Sequence, residues 1–377
     1  MKICTVVGAR PQFIKTVSVS RALLALGQVE LVIHTGQHYD PAMSQIFFDE
    51  IVQHAPDYHL GVGSGPHGVQ TGQMLVALEP ILETEKPDWV LLYGDTNSTL
   101  AGALAACKLH LPIAHVEAGE RSFDRRMPEE INRLIVDCVA DVHLCASQAA
   151  VRNLAAEGHA DSAHWVGDVM LDELLACLPS ARRLSTILGR LGLQPKCYSL
   201  VTLHRAATVD EPKHLTALVE ILNGLTETIV FPVHPRTRHA LSQRHLVLAE
   251  HIRAIEPVGY LDMLALEDSA RLIATDSGGV QREAYYLGIP CLTLRNETEW
   301  TATVETGWNR LVGIEPQSIK AAWHTFTPPG PRPPIYGEGT AGQRIAELLV
   351  SQAAERGRGC QCPRPPARTS LKAALAP

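Results

Sequence analysis

Short apolar runs alternate with amphipathic stretches along most of the chain. In its first half, runs with the apolar pattern of buried strands fall at residues 2–7, 29–34, 89–93, 113–117, 142–146 and 164–166. Between them, apolar positions recur at helical spacing at residues 16–26, 71–86 and 98–110. Strands separated by helices form parallel sheets with helices on both faces. Residues 1–168 are therefore predicted to fold as a doubly wound, Rossmann-like α/β domain.

A second alternation follows a mainly helical stretch at residues 169–188. Its strand-like runs fall at residues 198–203, 229–233, 252–255, 271–274 and 290–294, and a last helical pattern occupies residues 341–354. We expect a second Rossmann-like domain over residues 169–354, with the active site in the cleft where the carboxyl ends of the two sheets meet. Residues 355–377 are rich in Pro, Gly and Arg, which predicts a disordered tail.

Residues 276–279, Asp-Ser-Gly-Gly, lie between a predicted strand and a predicted helix that ends at Gly288. Such a turn exposes unpaired backbone N–H groups at the positive end of a helix dipole, so Ser277, Gly278 and Gly279 suit a phosphate group. A polar loop with Arg295 and Glu299 leaves the next strand at the same sheet edge. An ordinary strand–turn–helix unit is the alternative interpretation.

Charge and cysteine content narrow the possible partners. The 377-residue chain has a formal charge of −7 and a sequence pI near 6.2, which argues against a nucleic-acid or anionic-membrane surface and favours small-molecule ligands. Its nine cysteines are odd in number, and its first apolar run is too short for a signal peptide. We expect a soluble cytoplasmic protein. No histidine pair has zinc spacing, so no metal site is predicted, and Cys360 and Cys362 are interpreted as incidental.

Arg10 and Lys15 follow the first predicted strand, in the sequence Gly8-Ala-Arg-Pro-Gln-Phe-Ile-Lys. Two cations there suit a diphosphate or an acidic sugar, although two solvated cations beside a helix start are an equally good interpretation of this segment. The dinucleotide fingerprint G-x-G-x-x-G is missing, which argues against a nicotinamide cofactor, and no cofactor is expected.

Carboxylates and histidines follow the predicted strands or open predicted helices: Asp95, Glu117, Glu129, Glu130, His204 and His234. For Asp95 the ordinary alternative is capping of the next helix. Glu117 closes an apolar strand, where we expect burial to raise its pKa and make it a usable acid or base. The glutamate pair opens a helix, where acidic residues are common. Gathered at one cleft, these groups form a constellation typical of an active site.

These residues lie in motifs that resemble those of the non-hydrolysing UDP-N-acetylglucosamine 2-epimerase family. The similarity runs to about residue 354 and comprises Gly8-Ala-Arg-Pro, Thr35-Gly-Gln-His, Gly94-Asp-Thr-Asn-Ser-Thr, His115-Val-Glu-Ala-Gly, Arg126-Met-Pro-Glu-Glu-Ile-Asn-Arg, Thr202-Leu-His-Arg, Asp276-Ser-Gly-Gly-Val-Gln-Arg-Glu and Thr298-Glu. The family has the two-domain fold of GT-B glycosyltransferases. The resemblance therefore implies the same fold that the apolar pattern predicts.

The resemblance implies roles for individual residues. Asp95, Glu117, Glu130 and His204 match catalytic positions, although it leaves open which of Glu129 and Glu130 faces the sugar. The UDP site is implied to include Arg10, Ser277, Gly278, Gly279 and Glu299, with Tyr260 near the uracil. Lys15, His234, Gln281 and Arg295 complete the candidate substrate-binding set. Arg282 departs from the family, many of whose members carry a glutamate there.

The implied activity is inversion at C2 of a UDP-N-acetylhexosamine, of the UDP-GlcNAc to UDP-ManNAc type. It proceeds by loss of UDP to a 2-acetamidoglucal and re-addition, and it serves polysaccharide precursor synthesis such as that of lipopolysaccharide O-antigen. A homodimer is expected. A subgroup that includes enzymes acting on UDP-2,3-diacetamido-2,3-dideoxyglucuronate is more similar at residues 63–68, Trp300 and Trp308. The carboxylate of that sugar requires a cation, which Arg121, Arg125 or Arg126 would supply. The alternative is that these arginines pair with acidic residues on the surface. More distant alternatives are a GT-B glycosyltransferase and a non-catalytic UDP-sugar-binding regulator.

Overall fold

The computed structural model describes residues 1–37 and 55–358. In these ranges the first sheet contains seven parallel strands: β1 (Lys2–Val7), β2 (Val29–His34), β3 (Tyr58–His59), β4 (Trp89–Tyr93), β5 (Ile113–Val116), β6 (Val142–Cys145) and β7 (Ala163–Trp165). Their order is β3-β2-β1-β4-β5-β6-β7, so it reverses between β1 and β4. Ligands of open α/β sheets bind at such a switch point. The predicted Rossmann-like sheet is confirmed.

The helices around the first sheet are α1 (Arg10–Ala25), α2 (His67–Glu85), α3 (Asn97–Lys108), α4 (Pro128–Val139), α5 (Gln148–Ala156) and α6 (Val169–Leu184). Helix α1 begins at Arg10, six residues before the predicted start. The Gln12 side chain closes the start of this helix by accepting from the backbone N–H groups of Gly8 and Ala9, and apolar periodicity does not reveal a polar contact of this kind. Asp168 caps α6, and its carboxylate accepts a hydrogen bond from the N–H of Met170.

The second sheet contains β8 (Ser199–Thr202), β9 (Ile229–Pro232), β10 (Ile252–Ile255), β11 (Leu272–Thr275), β12 (Cys291–Thr293) and β13 (Asn309–Leu311), in the order β10-β9-β8-β11-β12-β13. Each pair of neighbouring strands in this order is parallel. Its helices are α7 (Ile187–Arg190), α8 (Ala206–Val209), α9 (Pro212–Asn223), α10 (Pro235–Gln243), α11 (Tyr260–Ser269), α12 (Gly278–Leu287), α13 (Thr301–Glu305) and α14 (Pro316–Thr325). The second predicted Rossmann-like sheet is confirmed, and its switch point lies between β8 and β11.

Each sheet has its own apolar core, and a further cluster joins the two halves of the molecule. Ile14 and Leu174 of α1 and α6 pack in this cluster with Tyr260, Tyr286 and Trp300 of the second half. The carboxyl ends of the two sheets are thereby brought to a common cleft. The domain boundary at residue 168 stays a prediction.

The last helix, α15 (Ala341–Arg358), packs on the first half of the chain. Ile345 and Leu349 lie in the first core, and the indole Nε1 of Trp89 donates to the carbonyl oxygen of Leu349 at 3.2 Å. Sequence alone grouped this helix with residues 169–354. The helix also continues past residue 354, because Arg356 lies over the Trp89 ring at 4.1 Å. Residues 355–358 are therefore helical and not part of a tail, and residues 359–377 lie outside the described part.

The cysteines differ in part from expectation. Cys4, Cys145 and Cys291 are buried as the apolar pattern predicted, and burial raises the pKa of the Cys4 thiol to about 12. Cys107 and Cys138 are exposed, because they lie on helix faces that point to solvent. Among the described helices, none is both long and apolar enough to cross a membrane.

Candidate active site

The loop after β1 is held beside the end of β4 by the side chain of Gln12. Its Oε1 accepts from the backbone N–H groups of Gly8 and Ala9 at 2.8 and 3.0 Å, and its Nε2 donates to the carbonyl oxygen of Tyr93 at 2.8 Å. Gly8 is required here, since an added Cβ would lie 2.0 Å from Ser98 Oγ. This loop therefore lies at the switch point of the first sheet. Arg10 begins α1, but its side chain is outside the described part of the structure.

Asp95 follows β4 and points its carboxylate at Arg133. The capping interpretation is wrong, because Thr96 caps α3 by accepting from the N–H of Thr99. Arg133 Nη1 of α4 instead donates to Asp95 Oδ2, and Asn132 Nδ2 donates to the Asp95 carbonyl oxygen at 2.8 Å. Burial raises the pKa of Asp95, while the charges of Arg133 and Lys15 partly oppose it. Asp95 is thus a carboxyl that retains a proton more readily than usual.

Glu130 is buried and its carboxylate is fully occupied. It accepts from the backbone N–H groups of Ser122 and Phe123, each at 3.0 Å, and from Nε and Nη2 of Arg133 at 3.0 and 2.8 Å. Burial acts to raise the pKa of Glu130, but these donors outweigh it and the pKa is lowered. Its neighbour Glu129 is exposed, and its negative charge contributes to the raised pKa of Asp95. Glu130 therefore fixes Arg133, whereas Glu129 is exposed to solvent close enough to Asp95 to influence its pKa.

Glu117 lies in a buried ionic cluster. Its Oε2 lies 2.8 Å from Lys15 Nζ and 2.9 Å from Arg282 Nη1. Burial alone would raise the pKa of Glu117, but the charges of Arg282 and Lys15 outweigh burial and lower it to about 2. The expectation of a raised pKa is therefore wrong. Glu117 also has a φ of 69°, a left-handed conformation that is unusual for a glutamate and typical of functional sites.

Arg121 is committed to a different buried cluster. His115 Nδ1 donates to Asp137 Oδ1 at 2.6 Å, Arg121 Nη2 lies 2.7 Å from Asp137 Oδ2, and Arg121 Nε donates to Glu157 at 2.8 Å. Arg126 pairs with Asp124 on the surface, at 2.8 Å. Arg121 is therefore not available to a substrate carboxylate, and the surface pairing considered for these arginines is confirmed for Arg126. Arg125 is exposed.

His204 follows β8 and is oriented by Asp276, which follows the neighbouring strand β11. Asp276 is fully buried, accepts from the backbone N–H of His204 at 3.1 Å and lies 3.2 Å from His204 Nδ1. The His204 side chain is 43% exposed, at the carboxyl end of β8. His234 lies with its ring centroid 5.9 Å from that of His204, and its Nδ1 accepts from the N–H of Arg236 at the start of α10. Burial, with His204 and Arg236 nearby, lowers the pKa of His234.

The predicted phosphate turn has the expected strand–turn–helix form. Ser277 caps α12, its Oγ accepting from the N–H of Val280 at 3.4 Å. A Cβ on Gly278 would lie 2.5 Å from Glu299 Oε1 and 2.9 Å from Trp300 Nε1, so only glycine fits. Glu299 Oε2 lies 3.1 Å from Arg295 Nη2, four residues earlier on the same loop, and its closeness to Gly278 confirms that this loop and the turn share a sheet edge. Burial acts to raise the pKa of Glu299, but Arg295 and Arg205 outweigh it and the pKa is lowered.

Two predicted substrate ligands lie behind this turn. Gln281 has no exposed surface, and its Oε1 accepts from Thr298 Oγ1 at 2.7 Å and from Asn309 Nδ2 at 3.3 Å. Tyr260 is 9% exposed and contacts Glu283 from the first turn of α11. Gln281 is thereby tied to the loop after β12 and to the start of β13, and Tyr260 packs in the apolar cluster that joins the two halves of the molecule.

Sequence reasoning missed three residues that orient the candidates: Arg133, Asp276 and Arg282. Asp276 had a usable signal, because it ends the strand next to the one that His204 follows. Arg133 lies three residues after Glu130, the spacing at which helix side chains meet. Nothing in the sequence pairs Arg282 with Glu117, which lies 165 positions away. Among the described residues, no group of three His, Cys, Asp or Glu side chains is placed to hold a metal ion.

Comparison with known proteins decides the family. Residues 26–350 match the family model described as UDP-N-acetylglucosamine 2-epimerase. The chain belongs to this family. It is 48% identical over 355 residues to a UDP-N-acetylglucosamine 2-epimerase homolog of Methanococcus maripaludis, covering 93% of this chain and 99% of the relative. It is 47% identical over 362 residues, with the same coverages, to UDP-2,3-diacetamido-2,3-dideoxy-D-glucuronate 2-epimerase of Pseudomonas aeruginosa.

The epimerase fold is confirmed by solved structures. The crystal structure of Methanocaldococcus jannaschii UDP-GlcNAc 2-epimerase in complex with UDP-GlcNAc and UDP matches with a TM-score of 0.85 and 42% identity, over 93% of this chain and 100% of that one. The GT-B-like arrangement of two parallel sheets is therefore shared with this epimerase.

Proposed function

We propose that this chain is a non-hydrolysing epimerase that inverts C2 of a UDP-N-acetylhexosamine. The observation that carries the proposal is the pair of carboxyls at neighbouring strand ends, Asp95 and Glu117, which face the glycine turn of α12 across one cleft. Their surroundings push the two pKa values apart, upward for Asp95 and to about 2 for Glu117. A carboxyl that takes up a proton more readily than usual, beside one that stays ionised, suits an acid/base pair.

The chemistry requires departure of UDP before the proton at C2 moves. That proton is not next to a carbonyl group, so no carboxylate removes it directly. When the C1–O bond breaks and UDP takes the electron pair, the positive charge at C1 acidifies C2–H. A carboxylate then takes the proton, and the C2–H electrons form the C1=C2 bond of a 2-acetamidoglucal. Protonation of C2 from the other face and re-formation of the C1–O bond give the epimer.

The placement of this chain's residues supports the following proposed roles. Glu117 takes the C2 proton, for which a weakly basic carboxylate suffices because the oxocarbenium ion makes C2–H strongly acidic. Asp95 delivers a proton from the opposite face. The N–H groups at the start of α12, with Ser277 and the exposed His204, stabilise the charge on the departing diphosphate. Arg295 and Glu299 support the turn that holds it.

The exposed Glu129, and not Glu130, is proposed as the third carboxylate that faces the sugar. Glu130 accepts from Ser122, Phe123 and Arg133 and has no free direction toward the cleft. Its contribution is to hold Arg133 against Asp95.

UDP-2,3-diacetamido-2,3-dideoxyglucuronate is the second candidate substrate. It is favoured by the 47% identity to the Pseudomonas aeruginosa enzyme that is named for it. Arg121 is paired with Asp137 and Glu157, and Arg126 is paired with Asp124, so Arg125 is the remaining cation of the three considered for the substrate carboxylate.

We also propose that the enzyme works in the cytoplasm as a homodimer, without a cofactor, and supplies precursors of cell-surface polysaccharides. The buried free thiols and the acidic charge balance support the compartment and the absence of a nucleic-acid partner.

The test is incubation of the purified chain with each of the two UDP-sugars, with products separated by NMR. The C2 epimer is expected from at least one of them, and Asp95→Asn should lower its kcat by at least ~10²-fold. Sugar transfer to an acceptor would identify a glycosyltransferase, and binding without any conversion would identify a regulator.

A further inference from the structure

Arg282 joins the helix of the phosphate turn to the carboxylate proposed as the base. It is buried, with 5% of its surface exposed, and its Nη1 lies 2.9 Å from Glu117 Oε2 and 2.8 Å from Asp168 Oδ2. Its guanidinium lies over the Trp300 ring at 3.8 Å from the ring centre. A planar cation that bridges two carboxylates while stacked on an indole is held in one orientation.

Helix α12 is anchored to the first half of the chain through two side chains on one face. Tyr286, four residues after Arg282, donates its hydroxyl proton to the same oxygen of Asp168. Asp168 in turn caps α6. The first turn of α12 begins at the residues proposed to hold the diphosphate, so one ten-residue helix carries the phosphate turn at its start and Arg282 in its second turn.

We propose that Arg282 is a positioning residue that couples the seating of the diphosphate at residues 277–279 to the orientation of the Glu117 carboxylate. The inference rests on the proposed function, because it assigns Arg282 to the same epimerisation. A helix moves as a rigid body over this length, so a substrate that fixes the turn also fixes the guanidinium. Since small misplacements of a reacting group are costly, Arg282 acts on turnover through Glu117 and not through contact with UDP.

The charged groups around Glu117 determine how removal of Arg282 changes the pKa of Glu117. The titratable and charged groups that face it are Lys15 of α1, Asp95 after β4, Glu120 after β5, and Arg282 with its partner Asp168. Tyr286 and Tyr336 lie against the guanidinium. Without Arg282, burial and the neighbouring carboxyls raise the pKa of Glu117, and Lys15 remains to oppose them. Because the base must be ionised, loss of activity on the acid side should then begin at a higher pH.

The experiment compares full pH profiles of kcat and KM for wild type, Arg282→Met, Arg282→Gln and Arg282→Lys on whichever UDP-sugar the wild type epimerises. Both neutral variants are expected to lower kcat by about 10-fold or more near pH 8 with KM changed less than about 3-fold, and to move the acid limb of kcat upward by at least about one pH unit. Arg282→Lys keeps the charge and should return the acid limb to its wild-type place while restoring only part of kcat, since an ammonium cannot reproduce the planar bridge.

Two further variants separate positioning from general stability. Tyr286→Phe removes the second anchor of α12 while leaving the contact of Arg282 with Glu117, so it should lower the melting temperature without moving the acid limb. Arg182→Met removes an ion pair to Asp268 that is 2.8 Å long and lies away from Glu117. It should change neither the melting temperature nor the acid limb of kcat. If the methionine variant does not accumulate folded, the glutamine variant carries the comparison.

An unchanged acid limb in both neutral variants, or an equal shift in Tyr286→Phe, would overturn the role of Arg282 while leaving the epimerase itself intact. A wild-type chain that converts neither UDP-sugar would instead remove the proposed function, and the inference with it.

Discussion

At the scale of single residues, charges brought from distant parts of the chain decide the chemistry. Glu117 closes an apolar strand, and local sequence correctly predicts that it is buried. Its ionisation depends on Lys15 and Arg282, of which Arg282 is 165 positions away. Burial and strand position can be inferred from sequence, but the sign of this pKa shift requires the assembled cleft.

The two adjacent glutamates of α4 should behave differently when each is replaced. Glu129→Gln is expected to lower kcat by at least ~10²-fold with little change in melting temperature, because its carboxylate is exposed and is the one proposed to face the sugar. Glu130→Gln breaks the buried contact to Arg133 and is expected to lower stability by about 1–3 kcal/mol, seen as a lower melting temperature.

Steady-state kinetics and thermal melts of the two variants make this comparison. Exposed Glu83→Gln on α2 is the control for a surface change and should match the wild type in both. A strong loss of turnover in Glu130→Gln at unchanged melting temperature would contradict this account. It would show that Glu130 has the catalytic role and that Glu129 does not.

At the scale of elements, the turn between β11 and α12 depends on the absence of a side chain at Gly278. Gly278→Ala places a Cβ 2.5 Å from Glu299 Oε1 and must displace the loop that carries Glu299. We expect UDP affinity to fall by about 10-fold or more, measured by calorimetry. Gly279→Ala is the matched comparison, since its Cβ would first meet Ser277 Oγ at 3.7 Å, and it should have the smaller effect. Equal affinities for both variants and wild type would contradict the proposed phosphate role of this turn.

Helix α6 carries a buried carboxyl with a large pKa shift. Both oxygens of Glu173 lack hydrogen-bond partners among the described residues, and burial raises the pKa of Glu173 from 4.5 to about 7. Because the folded pKa is the higher one, the protonated form favours folding below about pH 4.5, and this contribution is lost as the pH rises to about 7.

Glu173→Gln removes this titration. Its stability relative to wild type should therefore increase between pH 4.5 and 7 and then level off, by at most ~3 kcal/mol in total. Urea unfolding at several pH values measures the difference. A difference that does not change with pH would show that Glu173 is not protonated in the folded state.

The elements that sequence predicted well are those with a strong apolar signal. The buried strands β4 and β11 coincide with apolar runs, and α12 ends at Gly288, which has a φ of 67°. The strands β3 and β13 were not predicted, because their sequences, Tyr-His and Asn-Arg-Leu, contain no apolar run. Helix α1 was predicted to start late for the related reason that a polar side chain, Gln12, organises its first turn.

At the scale of the whole molecule, two similar sheets and their facing carboxyl ends followed from the order of the elements. The position of α15 in the fold did not follow from this order. Nothing in the local sequence distinguishes an apolar helix face that packs on the second sheet from one that packs on the first. Contacts such as Trp89 with Leu349 and Arg356 join positions that only the folded chain brings together.

The end of α15 sets how far the chain can be shortened. A chain that ends at Arg358 should keep the melting temperature and activity of the full protein. A chain that ends at Glu355 loses the contact of Arg356 with Trp89, worth about 0.5–1 kcal/mol at an exposed site, and should melt about 1–3 °C lower. Differential scanning calorimetry of both chains decides this, and identical melting temperatures would show that Arg356 adds nothing to the packing of α15.

The most direct test of the account is turnover in D₂O, followed by NMR of the UDP-sugar at C2. Elimination and re-addition through carboxyl groups that exchange protons with solvent predict an epimer that carries deuterium at C2, with UDP still attached and no net hydrolysis. An epimer that retains protium at C2 through many turnovers would contradict the proposed roles of Asp95 and Glu117.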